Sequence, residues 1–155
     1  MAATTFSLFG KDTITIGGRL ITDFGAGEIG KLSFATDIAT VKTGKDANSI
    51  YIKNESGNQA SLELKVIRGS GDDAFLNGKI TNYKTDPTTF VLITAVLVKP
   101  FGIGIAGAAL KSDTYQCEGG IPTKQVEVVF NVEGDSEQAI SVYTFIFAYA
   151  SRTIS

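Results

Sequence analysis

The sequence predicts a mainly β fold with a single helix. Three observations carry that reading. The 155 residues are rich in Ile, Val and Thr and hold 17 Gly against three Pro; β-branched side chains fit the half-buried surface of a pleated sheet. Apolar residues recur at every second position through most of the chain, and at helical spacing in one stretch. Hydrophobic residues make up 43% and charged residues 19%, enough apolar content for a packed core. The length suits one domain over residues 1–155, since ~100–200 residues per domain is usual.

Thr13–Thr22 reads as two short strands around Gly17-Gly18, because a tight hairpin turn needs positive φ angles. Phe24–Gly30 is too glycine-rich for a helix. Leu32, Phe34, Thr36, Ile38 and Thr40 alternate with Ser33, Ala35, Asp37 and Ala39 as in a strand. Gly44–Ala47 turns the chain, Ser49–Ile52 starts its return, and Asn54–Asn58 is a further turn cluster. In Ala60–Ile67, Leu62, Leu64 and Val66 point one way and Ser61, Glu63 and Lys65 the other.

The helix follows, over about Asp72–Tyr83. Ser70-Gly71-Asp72-Asp73 resembles a capping box, Leu76, Ile80 and Tyr83 form one apolar stripe, and Asp86-Pro87 ends the segment. Phe90–Val98 is continuously apolar and predicts a strand buried on both faces. Gly102–Ala109 is small and flexible in composition. Thr114–Glu118 is expected as a short strand and Gly119–Pro122 as a turn. Val126, Val128, Phe130 and Val132 alternate with Gln125, Glu127, Val129, Asn131 and Glu133, which predicts one arm of a closing hairpin with its turn at Gly134-Asp135.

Ala139–Ala150 is the other arm, and both its faces are largely apolar. Ile140, Val142, Thr144 and Ile146 lie on one, Ser141, Tyr143, Phe145, Phe147 and Tyr149 on the other. Such a strand needs two covers. In a small domain with one helix, a neighbouring subunit is one candidate, and the helix itself the alternative.

Composition excludes much chemistry. With no His there is no Ser-His-Asp or Cys-His machinery and no His-ligated metal. One Cys makes no intrachain disulfide and no thiolate zinc cluster, and Cys117 has no His to activate it. A net charge of −2 argues against a nucleic-acid reader that neutralises phosphates. No apolar run approaches the ~20 residues that span a bilayer, and Met1–Phe6 lacks a basic, then apolar, leader pattern. The expectation is a soluble product of a reducing cytosol, not an enzyme, without cofactor, metal or membrane insertion.

Several motifs invite sharper readings. Gly25–Gly30 and Gly102–Gly107 both match G-x-G-x-x-G. A dinucleotide site needs the glycines to open a helix inside a βαβ unit, and neither segment is followed by one. Asp72-Asp73 reads as helix capping rather than a cation site. Glu133, Asp135 and Glu137 lack the glycine and terminal Glu register of a calcium loop and read as a solvated turn. Asn54-Glu55-Ser56 matches a glycosylation sequon, which means nothing without secretion. A carboxylate-only glycosidase or a lectin would miss the Trp platform this chain lacks.

Asp12–Gly25, with its hairpin followed by Ile21-Thr22-Asp23-Phe24-Gly25, resembles the opening of bacteriophage tail tube proteins of the contractile-tail type. The departures are Asp23, where the family often has Gly, and Ala26-Gly27-Glu28 for a commoner Asp-Gly-Asp. Lys42–Asp46 resembles that family's hairpin tip, and Ala60–Val66 running into Ser70–Leu76 its strand-then-helix step. The resemblance covers most of the chain in element order.

It implies a β-sandwich or distorted barrel of two antiparallel sheets with the helix flanking it. It further implies six copies closing into a ring, and rings stacking into a virion tail tube, assembled in the host cytoplasm. The expected partners are the chain itself, a tail sheath, a tape-measure protein, and baseplate and tail terminator proteins. DNA would pass without specific binding. The polar faces expected at the lumen are Ser61, Glu63, Lys65, Gln125, Glu127, Asn131 and Glu133. Expected contacts between subunits are Gly44, Lys45, Asp46, Ala47, Asn54, Asn58, Tyr143, Phe145, Phe147 and Tyr149. A tube protein of a contractile secretion system and a monomeric β-sandwich module binding a peptide or glycan are the alternatives.

Overall fold

The computed structural model describes residues 7–8, 11–25, 27–102, 111–134 and 138–154. It is mainly β with one helix. Strands β1 (Ser7–Leu8), β2 (Thr13–Ile16), β3 (Arg19–Ile21) and β4 (Gly30–Ser33) precede a separate hairpin of β5 (Ala39–Thr43) and β6 (Ser49–Lys53). Then come β7 (Ala60–Ile67), helix α1 (Gly71–Thr85), β8 (Ile93–Gly102), β9 (Lys111–Pro122) and β10 (Ile140–Ile154). The main sheet is antiparallel in the order β3-β2-β8-β9-β10-β7-β4, with β1 beside β8. It curls on itself: a Cβ on Gly30 of β4 would lie 3.3 Å from Cδ1 of Ile14 on β2. The two sides of the sandwich are thus one curled sheet, and the second sheet is the small β5–β6 hairpin alone.

Inside the curl, Ile14, Ile16 and Ile21 meet Leu62, Leu64 and Val66, with Tyr143, Phe145 and Phe147 between them. Leu76 and Ile80 of α1 close this core. The helix starts as its sequence predicts. The Asp73 N–H donates to Ser70 Oγ at 3.2 Å, and the Asp73 carboxylate accepts from the Gly69 N–H at 2.8 Å. The first bond satisfies an end N–H of the helix, and the second ties the residue before the cap to its first turn. The Tyr143 hydroxyl donates to the same carboxylate from below. Burial, and then the Asp73 carboxylate, push that phenol's pKa well up.

Asp72 does something its capping position did not announce. It is buried and reaches across to the exit of β3. It accepts from Arg19 Nε at 2.8 Å and from the N–H groups of Thr22 at 2.8 Å and Asp23 at 2.9 Å. Burial alone would raise its pKa. The Asp23 amide, the Arg19 guanidinium and the Thr22 amide outweigh that and hold it below the ordinary value.

Several expected elements are corrected. The chain leaves β4 at Ser33 and begins β5 only at Ala39, so the alternating run from Leu32 to Thr40 is two strands with a break. The strand expected at Phe90–Val98 is β8 at Ile93–Gly102. It is buried on one face only, with Ile93 and Ala95 inside and Thr94 and Val96 exposed. Gly119–Pro122 is no turn but the end of the 12-residue β9. Gly119 takes φ +68°, and Gly120 leaves room for the Phe147 ring. The expected hairpin of Gln125–Glu133 with Ala139–Ala150 does not form. Residues 124–134 are irregular, and β10 pairs instead with β7 and β9. Sheet-forming composition lost here because long-range partners already filled both sides of β10. Asp135 and Glu137, and Ile103–Ala109, lie outside the described residues.

The inward-facing positions of β10 shift from odd to even between Phe147 and Ala150, opposite Gly119 and Gly120. That shift depends on two residues without side chains. Gly120→Ala would place its Cβ 2.4 Å from Cε1 of Phe147 and 2.9 Å from the Ile93 carbonyl oxygen. A loss of about 3 kcal/mol is expected, read by urea unfolding. Asp72→Ala should cost about 3 kcal/mol at pH 7 by leaving buried N–H groups unpaired. Because the folded pKa is depressed, the stabilisation is present above about pH 4, the unfolded value, and lost as pH falls through the lower folded pKa. Asp72→Asn should therefore show a shallower stability loss between pH 5 and pH 2 than wild type, to about those limits.

Candidate assembly surfaces

Three surfaces remain once the core is closed. The first is the outer face of the curled sheet. Cross-strand pairs Lys65–Val142, Glu63–Thr144 and Ser61–Ile146 lie on it, followed by Thr15–Val96, Val96–Gln116 and Gln116–Ser151. Small hydroxyl, amide and aliphatic side chains dominate. Of the seven residues expected at a lumen, Ser61, Glu63 and Lys65 sit together here. Gln125, Glu127, Asn131 and Glu133 do not join them, since they lie on the irregular 124–134 segment.

The second surface is the sheet's two edges. Strand β3 pairs only with β2, and β4 only with β7. Beyond β3 the chain turns onto β7, where Phe24 bridges Val66 and the Asp23 carbonyl accepts from the Ile67 N–H at 2.8 Å; the outer edges of β3 itself and of β4 pair with no other strand among the described residues.

The third is the β5–β6 hairpin. It pairs with no strand of the main sheet, and every residue of β6 is exposed. Val41 is 57% exposed, Ile50 60% and Tyr51 77%. Its base is fixed by Asn54, whose Nδ2 donates to the Asp37 carbonyl at 3.0 Å and to Thr40 Oγ1 at 2.9 Å. Asn58 is half-buried beside it. Gly44, Lys45, Asp46 and Ala47 form the exposed tip. Asp46 and Ala47 both have positive φ, 68° and 62°, a conformation costing roughly 1–2 kcal/mol per residue without glycine. The expected contact residues of the tip are thus fully presented.

Those of the last strand are not. Tyr143, Phe145 and Phe147 are at most 1% exposed and belong to the chain's own core. The apolar content of that strand fills the curl, and of the four only Tyr149 reaches the surface.

Among the described residues, no three of Cys, Asp and Glu gather as they would to hold a metal ion. Burial pushes the Cys117 thiol up to about 11, which leaves it protonated and inert at neutral pH. Gly25–Gly30 leads into β4 rather than a helix. The ion pairs Lys99–Asp12 and Arg152–Asp113, 2.7 and 2.8 Å, tie the far ends of β8, β9 and β10. Among the described residues no helix is long and apolar enough to cross a membrane.

No family model matches the sequence, and no curated protein matches it. Solved structures do match the fold. The cap that terminates the tube of the anti-feeding prophage superimposes with a TM-score of 0.67 at 11% identity, covering 100% of this chain and 96% of that one. The sheath/tube terminator of PVC, an extracellular contractile injection system, in its extended state gives 0.52 at 12%, covering 94% of each chain. A chain of the PVC sheath-tube complex, also extended, gives 0.52 at 12%, covering 93% and 87%. These are structural parts of contractile tails, not enzymes.

The exposed hairpin side chains contribute little to the fold of one chain. Tyr51→Ser with Ile50→Ser should change monomer unfolding free energy by less than about 1 kcal/mol, while lowering any self-association seen by sedimentation.

Proposed function

We propose that this chain is a ring-forming subunit of a contractile-tail tube. The observation that carries the reading is that β3 and β4 end the strand order of one curled sheet, each with an outer edge that no other described strand pairs. The β3 edge of one copy can pair with the β4 edge of the next, and a closed ring of copies removes both of these edges. Six copies is the number the tail-tube resemblance implies. The shared fold with tube- and sheath-associated chains supports the same reading.

The outer sheet face then lines the lumen through Ser61, Glu63, Lys65, Thr144 and Gln116. Such a wall carries too little positive charge to hold passing DNA. The hairpin tip, Gly44–Ala47, reaches the neighbouring ring. The sheath, tape-measure, baseplate and terminator proteins are its expected partners, and the virion tail its place.

A second reading is a tube-terminating cap. The 0.67 TM-score over the whole chain favours it. Electron microscopy of the purified protein separates the two. Stacked rings support a tube subunit, and single unstacked rings a cap. A monodisperse monomer at millimolar concentration would overturn both. For the lumen, Glu63→Lys with Thr144→Lys should leave rings intact and slow DNA ejection several-fold in virions carrying it. Unchanged ejection kinetics would remove that face from the lumen.

A further inference from the structure

Among the described residues, two segments have the composition of sheet and pair with no strand of the main sheet. The first is the β5–β6 hairpin. A two-stranded ribbon is marginal in water, and a third strand or a cover is the usual remedy. Here the ribbon has only its own two strands, with Val41, Ile50 and Tyr51 exposed. The second is the long connection from β9 to β10. Its sequence alternates as a strand over Val126–Val132, yet it is irregular. Val128, Phe130 and Val132 are 49%, 86% and 107% exposed.

The two lie at opposite ends of β7. The hairpin returns to the chain through Glu55–Asn58, just before Ala60. The connection is strapped beyond Ile67, where Arg68 donates to the carbonyls of Glu127, Gln138 and Ile140 at 3.2, 2.8 and 3.1 Å. The eight residues of β7 separate the ends by about 25 Å at ~3.3 Å per residue. Among the described residues the two segments do not pair with each other.

Their charges are opposite. Residues 39–53 carry Lys42, Lys45 and Lys53 against Asp46. Residues 123–139 carry Glu127, Glu133, Asp135 and Glu137 against Lys124 in sequence, with Lys84 reaching Gln125 from the helix.

We infer that the Val126–Val132 segment of one copy adds as a third strand to the β5–β6 hairpin of a second copy stacked head to tail. The occupant of the hairpin's edge is thus another copy of this chain. Strand addition pairs backbone groups, covers the exposed apolar side chains of both partners and sets acidic residues against lysines. The arrangement is heterologous, so it propagates along a stack instead of closing on itself. It deepens the tube reading above and rests on it for the stacking direction.

A charge-swap pair tests the contact. One variant carries Lys42→Glu and Lys45→Glu, the other Glu127→Lys and Glu133→Lys; all four side chains are exposed. Circular dichroism first checks that each folds. Each variant alone should need at least tenfold more protein than wild type to form species larger than a single ring, by sedimentation velocity. An equimolar mixture should recover association, because each hairpin then faces a segment of opposite charge. Val129→Pro, which removes an amide N–H, should abolish the stacking of rings in any background while leaving ring formation intact. In assembled wild type, amides of Val126–Val132 should exchange at least tenfold more slowly than in the monomer.

No recovery in the mixture, or unprotected Val126–Val132 amides in assemblies, overturns the third-strand contact. The tube reading has its own readout: wild type showing neither rings nor stacks in micrographs overturns it, whatever the mixture does.

Discussion

A sheet of this width has two faces to satisfy, and this chain supplies one helix. Helix α1 contributes Leu76 and Ile80 to the core, far too little to cover seven strands. The sheet therefore has to cover itself. It curls until β4 meets β2, and the inner side chains of β7 and β10 pack against those of β2 and β3. Every later feature follows from that constraint. The inner face consumes the large aromatic residues, the outer face is left with small polar ones, and the curl leaves β3 and β4 with outer edges that no other described strand pairs.

The curl is held at two places by different physics. At one end, the buried Asp72 carboxylate joins the start of the helix to the exit of the β2–β3 hairpin. A charge so far from water is stable only because three donors converge on it. In the middle, Gly119 and Gly120 let β9 and β10 shift their inward positions together. Phe147 can then fill the curl while Cys117 and Ala150 continue the inner face above it. A side chain at Gly120 would forbid that passage.

What the fold does not bury is as informative as what it does. While some exposed apolar residues, such as Leu20, Val96 and Val142, are spread over the sheet itself, others include Val41, Ile50, Tyr51 and Ile52 of the β5–β6 hairpin and Val128, Val129, Phe130 and Val132 of the 124–134 connection, segments outside the main sheet. Such clustering on a small domain marks contact surface. The absence of His and Trp and the weak net negative charge are compatible with the tube wall proposed above.

Local signals in the sequence determined the pieces whose stability is local. The Gly17-Gly18 hairpin formed with both glycines at positive φ. The helix began at Ser70 through the predicted capping box and ended at Asp86. The inward trio of β7 was readable from its period, because a strand's two faces are fixed by alternation alone. Pairing was not readable. Residues 125–133 have a strand's composition but no strand, since β10 had β7 on one side and β9 on the other. Tyr143, Phe145 and Phe147 could serve a core or a subunit contact equally well from their pattern. Burial decided for the core, because only the curl determines which side of β10 is inside. Asp72 likewise had a cap's position and became a long-range clasp to residues 49–53 places away. Composition and period are properties of neighbours in sequence. Which edges stay unpaired, and which apolar residues stay exposed, is settled by contacts between residues far apart.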